Sequence, residues 1–526
     1  MSWDSARFPA RRAEAHFGDR VVECFTERPR HFYQLLSDTA RLHPDKEGLV
    51  FADKRLSWAD LDKQCLKAAA ALAAQGISRG DRVGMLMTNS VEFITVLFAL
   101  ARLGAISVPI STRSSQREVT YIVEDSEAAL LLYDEALAAA VPSDQDLARG
   151  EDKASFRALA ITDLAGEASL PDQMPDEEDV AFILYTSGTT GRPKGAMLTH
   201  LNIVHTALYY THAMGMSEVD RVVATVPLSH VTGIAGAISA PLSVGATIIL
   251  MDGFKAQLFL DCAEKERMTY TIMVPAMYNL CLLQPDFAKR NLSSWRLAAY
   301  GGAPMPEPTI RRLSETLPGL NFANCYGSTE TIVPQLTTPQ EFAIEKREYV
   351  GAQLPGTRCC IMDEHGVELP RGEVGELWLT GPTVVKGYWR NQKATADAFC
   401  GGYWKSGDMG VMEADGFVKV LDRAKDMINR GGLKIYSAEL ESVLTDHPAV
   451  VEAAAIGSPC EVLGERVHAV VVVRSELDAE ELRAFAKARL SDYKVPETVT
   501  ITVEPLPRNA NGKVDKKILR ETVLVA

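Results

Sequence analysis

Tyr185-Thr186-Ser187-Gly188-Thr189-Thr190-Gly191-Arg192-Pro193-Lys194-Gly195 decides how this chain is read. It follows an unbroken apolar run at residues 180–184, which reads as a buried strand. Four Ser/Thr residues, three glycines and a lysine then crowd into one turn. Glycines let backbone N–H groups close round an anion, and the hydroxyls and Lys194 add donors. That composition at the end of a strand is phosphate chemistry on an α/β scaffold. The G-x-x-x-x-G-K-[ST] spacing of a Walker A loop is absent. A plain surface turn has no need of so many phosphate donors.

Working outward, strands and helices alternate. Ser57 with Asp60 has capping-box spacing and starts a helix through about Gln75, which Gly76 is placed to end. Residues 83–87 predict a strand, 91–103 a helix and 107–110 another strand. The pattern recurs over 222–274, and it predicts a mostly parallel sheet covered on both faces. Residues 222–251 contain no Asp, Glu, Lys or Arg and are long enough to cross a bilayer. Pro227, Pro241, Gly233, Gly236 and Gly245 break that run, so it reads as strand, turn, buried helix and strand.

Near Leu377 the texture changes. Strand-like runs at 375–380 and 417–421 stand between glycine-rich turns, a small β-rich unit. After Lys425 a compact module follows: Ser437 placed to cap a helix with Leu440, Val443 and Leu444 on one face, strands at 451–456 and 468–473, a helix at 478–491 and a strand at 499–503. The fold class is therefore α/β. A large N-terminal domain, 1–421, combines α/β subdomains with the β-rich unit, and a small α+β domain, 422–526, follows.

Bulk properties narrow the function. A chain of 526 residues exceeds one compact core. A net charge of −14 repels nucleic acid, although a local basic pocket can still take an anionic substrate. The 9 Cys are scattered, with Cys359 and Cys360 adjacent and no C-x-x-C, which argues against a disulfide framework or a zinc site and for a reducing cytoplasm. The polar start, with Arg7, Arg11 and Arg12 among acids, has no apolar segment of a signal peptide, and Leu524-Val525-Ala526 is no retention or peroxisomal signal.

Other stretches carry chemistry. Tyr326-Gly327-Ser328-Thr329-Glu330 puts a carboxylate in a Gly/Ser/Thr turn, a hard oxygen ligand suited to Mg²⁺, though a helix N-terminal acid would look similar. Gly301-Gly302-Ala303-Pro304 alone is a turn, Ser406-Gly407-Asp408 alone a β-turn, and Asp422-Arg423-Ala424-Lys425-Asp426 alone a charged surface. Pro507-Arg508-Asn509-Ala510-Asn511-Gly512-Lys513 alone is a basic polar loop. Taken together and in this order, over nearly the whole chain, they resemble the adenylate-forming (AMP-binding) superfamily of acyl-CoA synthetases, peptide-synthetase adenylation domains and firefly luciferase.

The resemblance, to the acyl-CoA synthetase branch in particular, implies ATP, Mg²⁺ and coenzyme A as cofactors and a mobile C-terminal domain. It makes Thr186, Ser187, Gly188, Thr189, Thr190, Gly191 and Lys194 the phosphate loop and gives the metal to Glu330 with help from Thr186. Tyr326 would stack on adenine, with Gly327, Ser328 and Thr329 beside it, and Gly301, Gly302 and Ala303 would border adenine and the acyl group. Asp408 would accept the ribose hydroxyls, Arg423 would contact ribose and phosphate, Lys425 is the hinge, and the loop at Gly431 and Gly432 would line the pantetheine tunnel. Lys513 is the catalytic lysine that clamps carboxylate and α-phosphate, since a cation between two anions offsets their repulsion. Ser406 stands where the family usually has Thr, and Asp422 where Gly is commoner.

The implied enzyme is an ATP-dependent acid–thiol ligase: a fatty or aromatic carboxylic acid becomes acyl-AMP with pyrophosphate release, then its acyl group passes to coenzyme A. His230, in Pro227-Leu228-Ser229-His230-Val231-Thr232-Gly233, matches a residue beside the acyl carbon; as a bare residue it reads equally as a core histidine. No Asp occurs there to hold an amino group, which disfavours amino-acid substrates. The partners expected are the small-molecule acid, ATP and CoA, with no nucleic acid and no transmembrane segment. A protein lysine acetyltransferase acting on Lys513 and a homodimer are further candidates. The alternatives are an acyl-AMP ligase that loads a carrier protein, for which no insertion in the large domain is evident, and a luciferase-like oxygenase. The intact Glu330, Asp408 and Lys513 argue against a dead binding module.

Overall fold

The computed structural model describes residues 3–143, 146–147, 156–186, 192–303, 305–332, 334–508 and 514–523. They fall into two compact units, one of residues 1–359, 379–405 and 415–417, the other of 360–378, 406–414 and 418–526.

In the first unit, apolar strands alternate with helices and build two largely parallel sheets. One runs in the order Lys194–Thr199, Val180–Thr186, Ile106–Pro109, Arg82–Leu86, Leu130–Tyr133, Arg157–Ala160. The other runs Lys54–Ser57, Glu47–Phe51, Thr247–Leu250, Arg221–Ala224, Tyr270–Met273, Leu297–Gly301, Asn321–Tyr326, Leu336–Thr337, Gly351–Gln353. Strand pleating sends alternate residues to opposite faces, and the cores record it. Val83 and Met85 of one sheet, with Val222, Ala224 and Ile248 of the other, share a core with the helices Phe32–Leu42, Trp58–Ala74, Val91–Leu103 and His200–Met214. Leu86 and Leu131 face a second core with the helix Gln116–Asp125, and Val223 and Ile249 face a third with Ala256–Lys265 and Pro275–Leu282. A helix layer held between two sheets must be apolar nearly all round, as Val91–Leu103 is. In that layer Phe98 stacks on Phe32 at 4.5 Å, and truncating Phe98 to Ala would cost about 3–5 kcal/mol.

Local signals are realised closely here. Ser57 and Asp60 form the reciprocal capping box that opens the helix Trp58–Ala74, and Gly76 follows at φ +82°. The uncharged run becomes strand Arg221–Ala224, a π-helical turn Gly233–Ser239, a short helix Ala240–Ser243 and strand Thr247–Leu250. Ser239 Oγ donates to Ile234 O, five residues back, at 2.6 Å, which suits the widened turn. Gly233 has no alternative there, because a Cβ would sit 2.3 Å from Pro227 O. Among the described residues no helix is long and apolar enough to cross a membrane. Cys24, Cys65, Cys281 and Cys325 are buried thiols of the first unit.

The second unit contains strand segments within Arg358–Met362, Val374–Thr380, Tyr403–Met412 and Phe417–Arg423, and a further sheet ordered Leu433–Ile435, Ile428–Arg430, Gly464–Val473, Val450–Cys460, with Thr498–Thr502 parallel to Gly464–Val473. The helices Ser437–Thr445 and Ala479–Lys487 cover one face of this sheet around Leu440, Leu444 and Leu482. One sequence expectation fails. Ser437 is not a cap but the first helical residue, and its backbone N–H donates to the Asp422 carboxylate. An acid fifteen residues upstream thus satisfies a donor that the helix start would otherwise leave open.

Candidate active site

The root of the hydroxyl-rich loop is pinned on both sides. Thr186 ends the strand Val180–Thr186 and pairs with Lys194 across the hairpin. Tyr185 donates its hydroxyl to Asp125 Oδ2 at 2.6 Å, and Tyr121 donates to Pro193 O at 3.0 Å. Burial, then the Asp125 bond, pushes the Tyr185 phenol far above its ordinary range, so it stays a neutral donor. Gly195 is required by closeness, since a Cβ would lie 2.6 Å from Ile183 Cγ2. Ser187, Gly188, Thr189, Thr190 and Gly191 lie outside the described residues, as does Lys513.

Beside Lys194 stands the expected metal acid. Glu330 sits in a 3-10 turn, Thr329–Thr331, that follows the strand Asn321–Tyr326, and is 7% exposed. Its Oε1 accepts from the Tyr388 hydroxyl at 2.8 Å and its Oε2 from the Ser328 hydroxyl. Lys194 Nζ lies over the Tyr388 ring, 5.1 Å from its centre, and the Tyr388 backbone bridges to Ala196. Burial first, then the Glu330 charge, raises the Tyr388 phenol well beyond the usual range, which keeps it a donor. The turn ends on Ile332, fully buried at φ +49°. A β-branched residue there stores about 1–3 kcal/mol of strain, of the kind that gathers at functional sites. Among the described residues the Glu330 side chain accepts from two neutral hydroxyls, with the Lys194 ammonium over the Tyr388 ring beside it. A buried carboxylate in such a setting suits a hard divalent cation.

The residues expected from the sequence to border adenine and the acyl group line up along the carboxyl ends of parallel strands, where open α/β sheets bind ligands. Gly301 ends Leu297–Gly301 and pairs with Cys325 of the next strand, one residue before Tyr326. A Cβ on Gly301 would meet Cys325 O at 2.6 Å, and Gly302 turns away at φ +79°. His230 is half-buried in the turn after Arg221–Ala224, where its N–H donates to Pro227 O at 3.2 Å and its carbonyl accepts from Ile234. Asn89 fixes this turn. Its amide donates to Val226 O and Met251 O at 3.0 Å, and its oxygen accepts from Leu228 N at 2.8 Å.

In the second unit Asp408 is 6% exposed and its Oδ1 meets Arg423 Nε at 2.6 Å across paired strands. Ser406 Oγ accepts from Asp408 N at 2.9 Å. Lys425 is exposed in the turn that follows. Gly431 and Gly432, at φ +59° and +89°, make a two-residue hairpin turn between Ile428–Arg430 and Leu433–Ile435, a backbone shape that favours glycine at both positions.

Tyr388 and Asn89 escaped the sequence reading. Gly387-Tyr388-Trp389 offers a hint in its aromatic pair, whereas Asn89, in Thr88-Asn89-Ser90, offers only a helix-start signal.

Residues 36–389 match the AMP-binding enzyme family and residues 439–513 the AMP-binding enzyme C-terminal domain. A feruloyl-CoA synthase from Amycolatopsis sp is 35% identical over 488 residues, 91% of this chain and 96% of the relative. A long-chain-fatty-acid–CoA ligase of Mycobacterium tuberculosis is 34% identical over 501 residues, 93% and 97% of the two chains. An O-succinylbenzoate coenzyme A synthetase from Bacillus subtilis, solved with ATP and magnesium ion, superposes with a TM-score of 0.83 at 30% identity, covering 93% of this chain and 98% of that one. The ordered motifs, the parallel sheets with a carboxylate poised at their ends and these full-length likenesses agree: the chain belongs to the AMP-binding enzyme family, in its acyl-CoA synthetase branch, and is an ATP-dependent acid–thiol ligase that uses Mg²⁺ and coenzyme A.

Proposed function

We propose that the acid activated is an uncharged aliphatic or aromatic one, bound along residues 227–239. The observation that carries this is the segment itself. Gly233–Ser239 is wholly buried, and no Asp, Glu, Lys or Arg stands in it to hold a charged substituent. The relatives named for feruloyl and long-chain fatty acyl groups support the same range. In this reading Glu330 and Thr186 hold Mg²⁺, the 186–194 loop holds the phosphates, Tyr326 and Gly301 to Ala303 flank adenine, Asp408 and Arg423 take the ribose side, and His230 lies beside the acyl carbon. Bound Mg²⁺ would balance the negative charge that builds on the departing pyrophosphate. Lys513 draws the carboxylate towards the α-phosphorus; no protein nucleophile is needed, since alignment and charge do the chemistry.

Residues 1–421 would hold ATP and acid, and residues 422–526 would turn about Lys425 between the half-reactions, bringing Gly431 and Gly432 to the pantetheine. The reading extends to a cytoplasmic enzyme, to a homodimer, and to a lysine acetyltransferase that silences adenylation by removing the Lys513 charge. Acetylated protein with a full adenylation rate would refute that switch. The decisive experiment is a panel of acids assayed for pyrophosphate release with and without CoA. Acid-dependent release with CoA thioester formation is the expected result; adenylate without thioester would make the chain a loader of some other acceptor.

A further inference from the structure

Next to Tyr388 the first unit holds a cavity of about 530 Å³, lined by none of the residues assigned to ATP or the acid. Three cations stand on its wall, Arg20, Lys386 and Arg390, and Met197, Tyr388 and Phe399 add apolar surface. The cations are held differently. Arg20 has a side chain 4% exposed, and it donates to Asp19 Oδ1 at 3.0 Å and to Val385 O at 3.2 Å. Gly402 makes room for it, since a Cβ there would lie 3.1 Å from Arg20 Cβ. Arg390 pairs with Glu127. Lys386 is half-buried, and among the described residues its ammonium reaches no carboxylate, only Glu178 O at 3.4 Å. Burial lowers the Lys386 pKa from its ordinary value, against the more distant charges of Asp179 and Glu178. A half-buried ammonium without a counter-ion is costly, and an anion in the cavity would offset that cost. Guanidinium and ammonium groups beside an aromatic wall suit a ligand with one acid group and an apolar body.

This wall is continuous with Tyr388 and so with Glu330. Thr395, on the helix Gln392–Ala398, lines the cavity and accepts from Tyr388 N at 3.0 Å. Phe399 meets the Tyr388 ring edge-on at 5.8 Å. Gly387, at φ +146°, lets the chain pass Thr395, because a Cβ there would lie 2.7 Å from Thr395 Cγ2. The Tyr388 hydroxyl in turn donates to Glu330. We propose that the cavity is a second binding site for an organic carboxylate with a small apolar body, and that its occupant steadies Tyr388 on Glu330. The free acid that a ligase of this branch consumes is such an ion, so it is the occupant we name. Its charge would add to that of Glu330, and both effects favour Mg²⁺ there. The coupling, though not the binding, rests on Glu330 holding Mg²⁺.

Calorimetry with benzoate on the intact enzyme, without Mg²⁺, tests the binding, with inorganic phosphate and benzyl alcohol as the charge-only and body-only probes. Benzoate should bind, and each of the other two at least about tenfold more weakly. Lys386→Met, which keeps the apolar stem, should weaken one benzoate site about tenfold with Tm unchanged. Ala396→Trp, at an exposed position that lines the cavity, should block the same site. No benzoate binding, or binding that both variants leave unchanged, overturns the site; phosphate bound as tightly as benzoate overturns its chemistry. The coupling is read from the Mg²⁺ concentration for half-maximal pyrophosphate release at low and at saturating acid. That concentration should fall about fivefold with acid in the intact enzyme and stay put in Lys386→Met. An equal fall in both, or none in the intact enzyme, overturns the coupling. If Glu330→Gln leaves release and its Mg²⁺ dependence unchanged, Glu330 is not the metal acid and the reading of the active site fails, whatever benzoate does.

Discussion

Glu330, in a 3-10 turn, and Asp408, in the strand Tyr403–Met412 rather than the β-turn its Ser-Gly-Asp stretch suggests, are both buried acids, at 7% and 6% exposure, yet they are held by different partners. Glu330 meets hydroxyls from Tyr388 and Ser328, while Asp408 meets the Arg423 guanidinium at 2.6 Å. A buried carboxylate held by neutral donors keeps room for a cation to join it. A carboxylate already balanced by arginine is a positioned acceptor. Burial alone therefore does not separate the two acids; the nature of their partners does.

The sharpest break is Glu330→Gln. Acid-dependent pyrophosphate release should fall about 10²–10³-fold, while Tm without Mg²⁺ holds, since the amide keeps the side chain's shape and an acceptor oxygen for the hydroxyls. A clear loss of Tm would make Glu330 a structural residue and end the contrast. Next comes Tyr388→Phe, which strips one of the two donors that orient the carboxylate. The Mg²⁺ concentration for half-maximal activity should rise about tenfold, by analogy with other outer-shell partners, with kcat at saturating Mg²⁺ much less affected. An unchanged Mg²⁺ titration would show that Tyr388 merely packs. Asp408→Asn should do the reverse of Glu330→Gln: a severalfold rise in KM for ATP with no change in Mg²⁺ dependence, and a stability loss under about 1 kcal/mol because Arg423 is 44% exposed.

What could be read from the chain beforehand was local. The loop after residue 184 announces itself by composition, and the Ser57–Asp60 box and the strand–helix alternation are set by spacing within a few residues. What could not be read is long-range. Tyr388 reaches Glu330 across 58 positions, Asn89 holds the turn before His230 from 137 to 162 positions away, and Asp422 displaces Ser437 from its cap. No periodicity encodes which polar side chain a fold will bring to a distant backbone group, so these contacts had to be seen.

A third acid completes the series at the ion-paired extreme. Glu14, with a side chain 16% exposed, meets Arg28 at 2.7 Å, and Arg28 also holds Glu177 at 2.7 Å. The hydrogen bond from Arg28 chiefly, with Arg12 and His16 assisting, lowers the Glu14 carboxyl from its ordinary 4.5 to about 2. A carboxyl depressed in the folded state adds stability above its unfolded pKa, and this is lost as pH falls from about 4.5 towards 2. Linkage puts the loss between pH 5 and pH 4 at about 0.7 kcal/mol. Urea unfolding at those two pH values should show it, and Glu14→Gln should remove that slice of the slope while lowering stability at pH 7. If Glu14→Gln left the acid slope unchanged, the Arg28 pair would not be what sets this carboxyl, and its place at the ion-paired extreme would be lost.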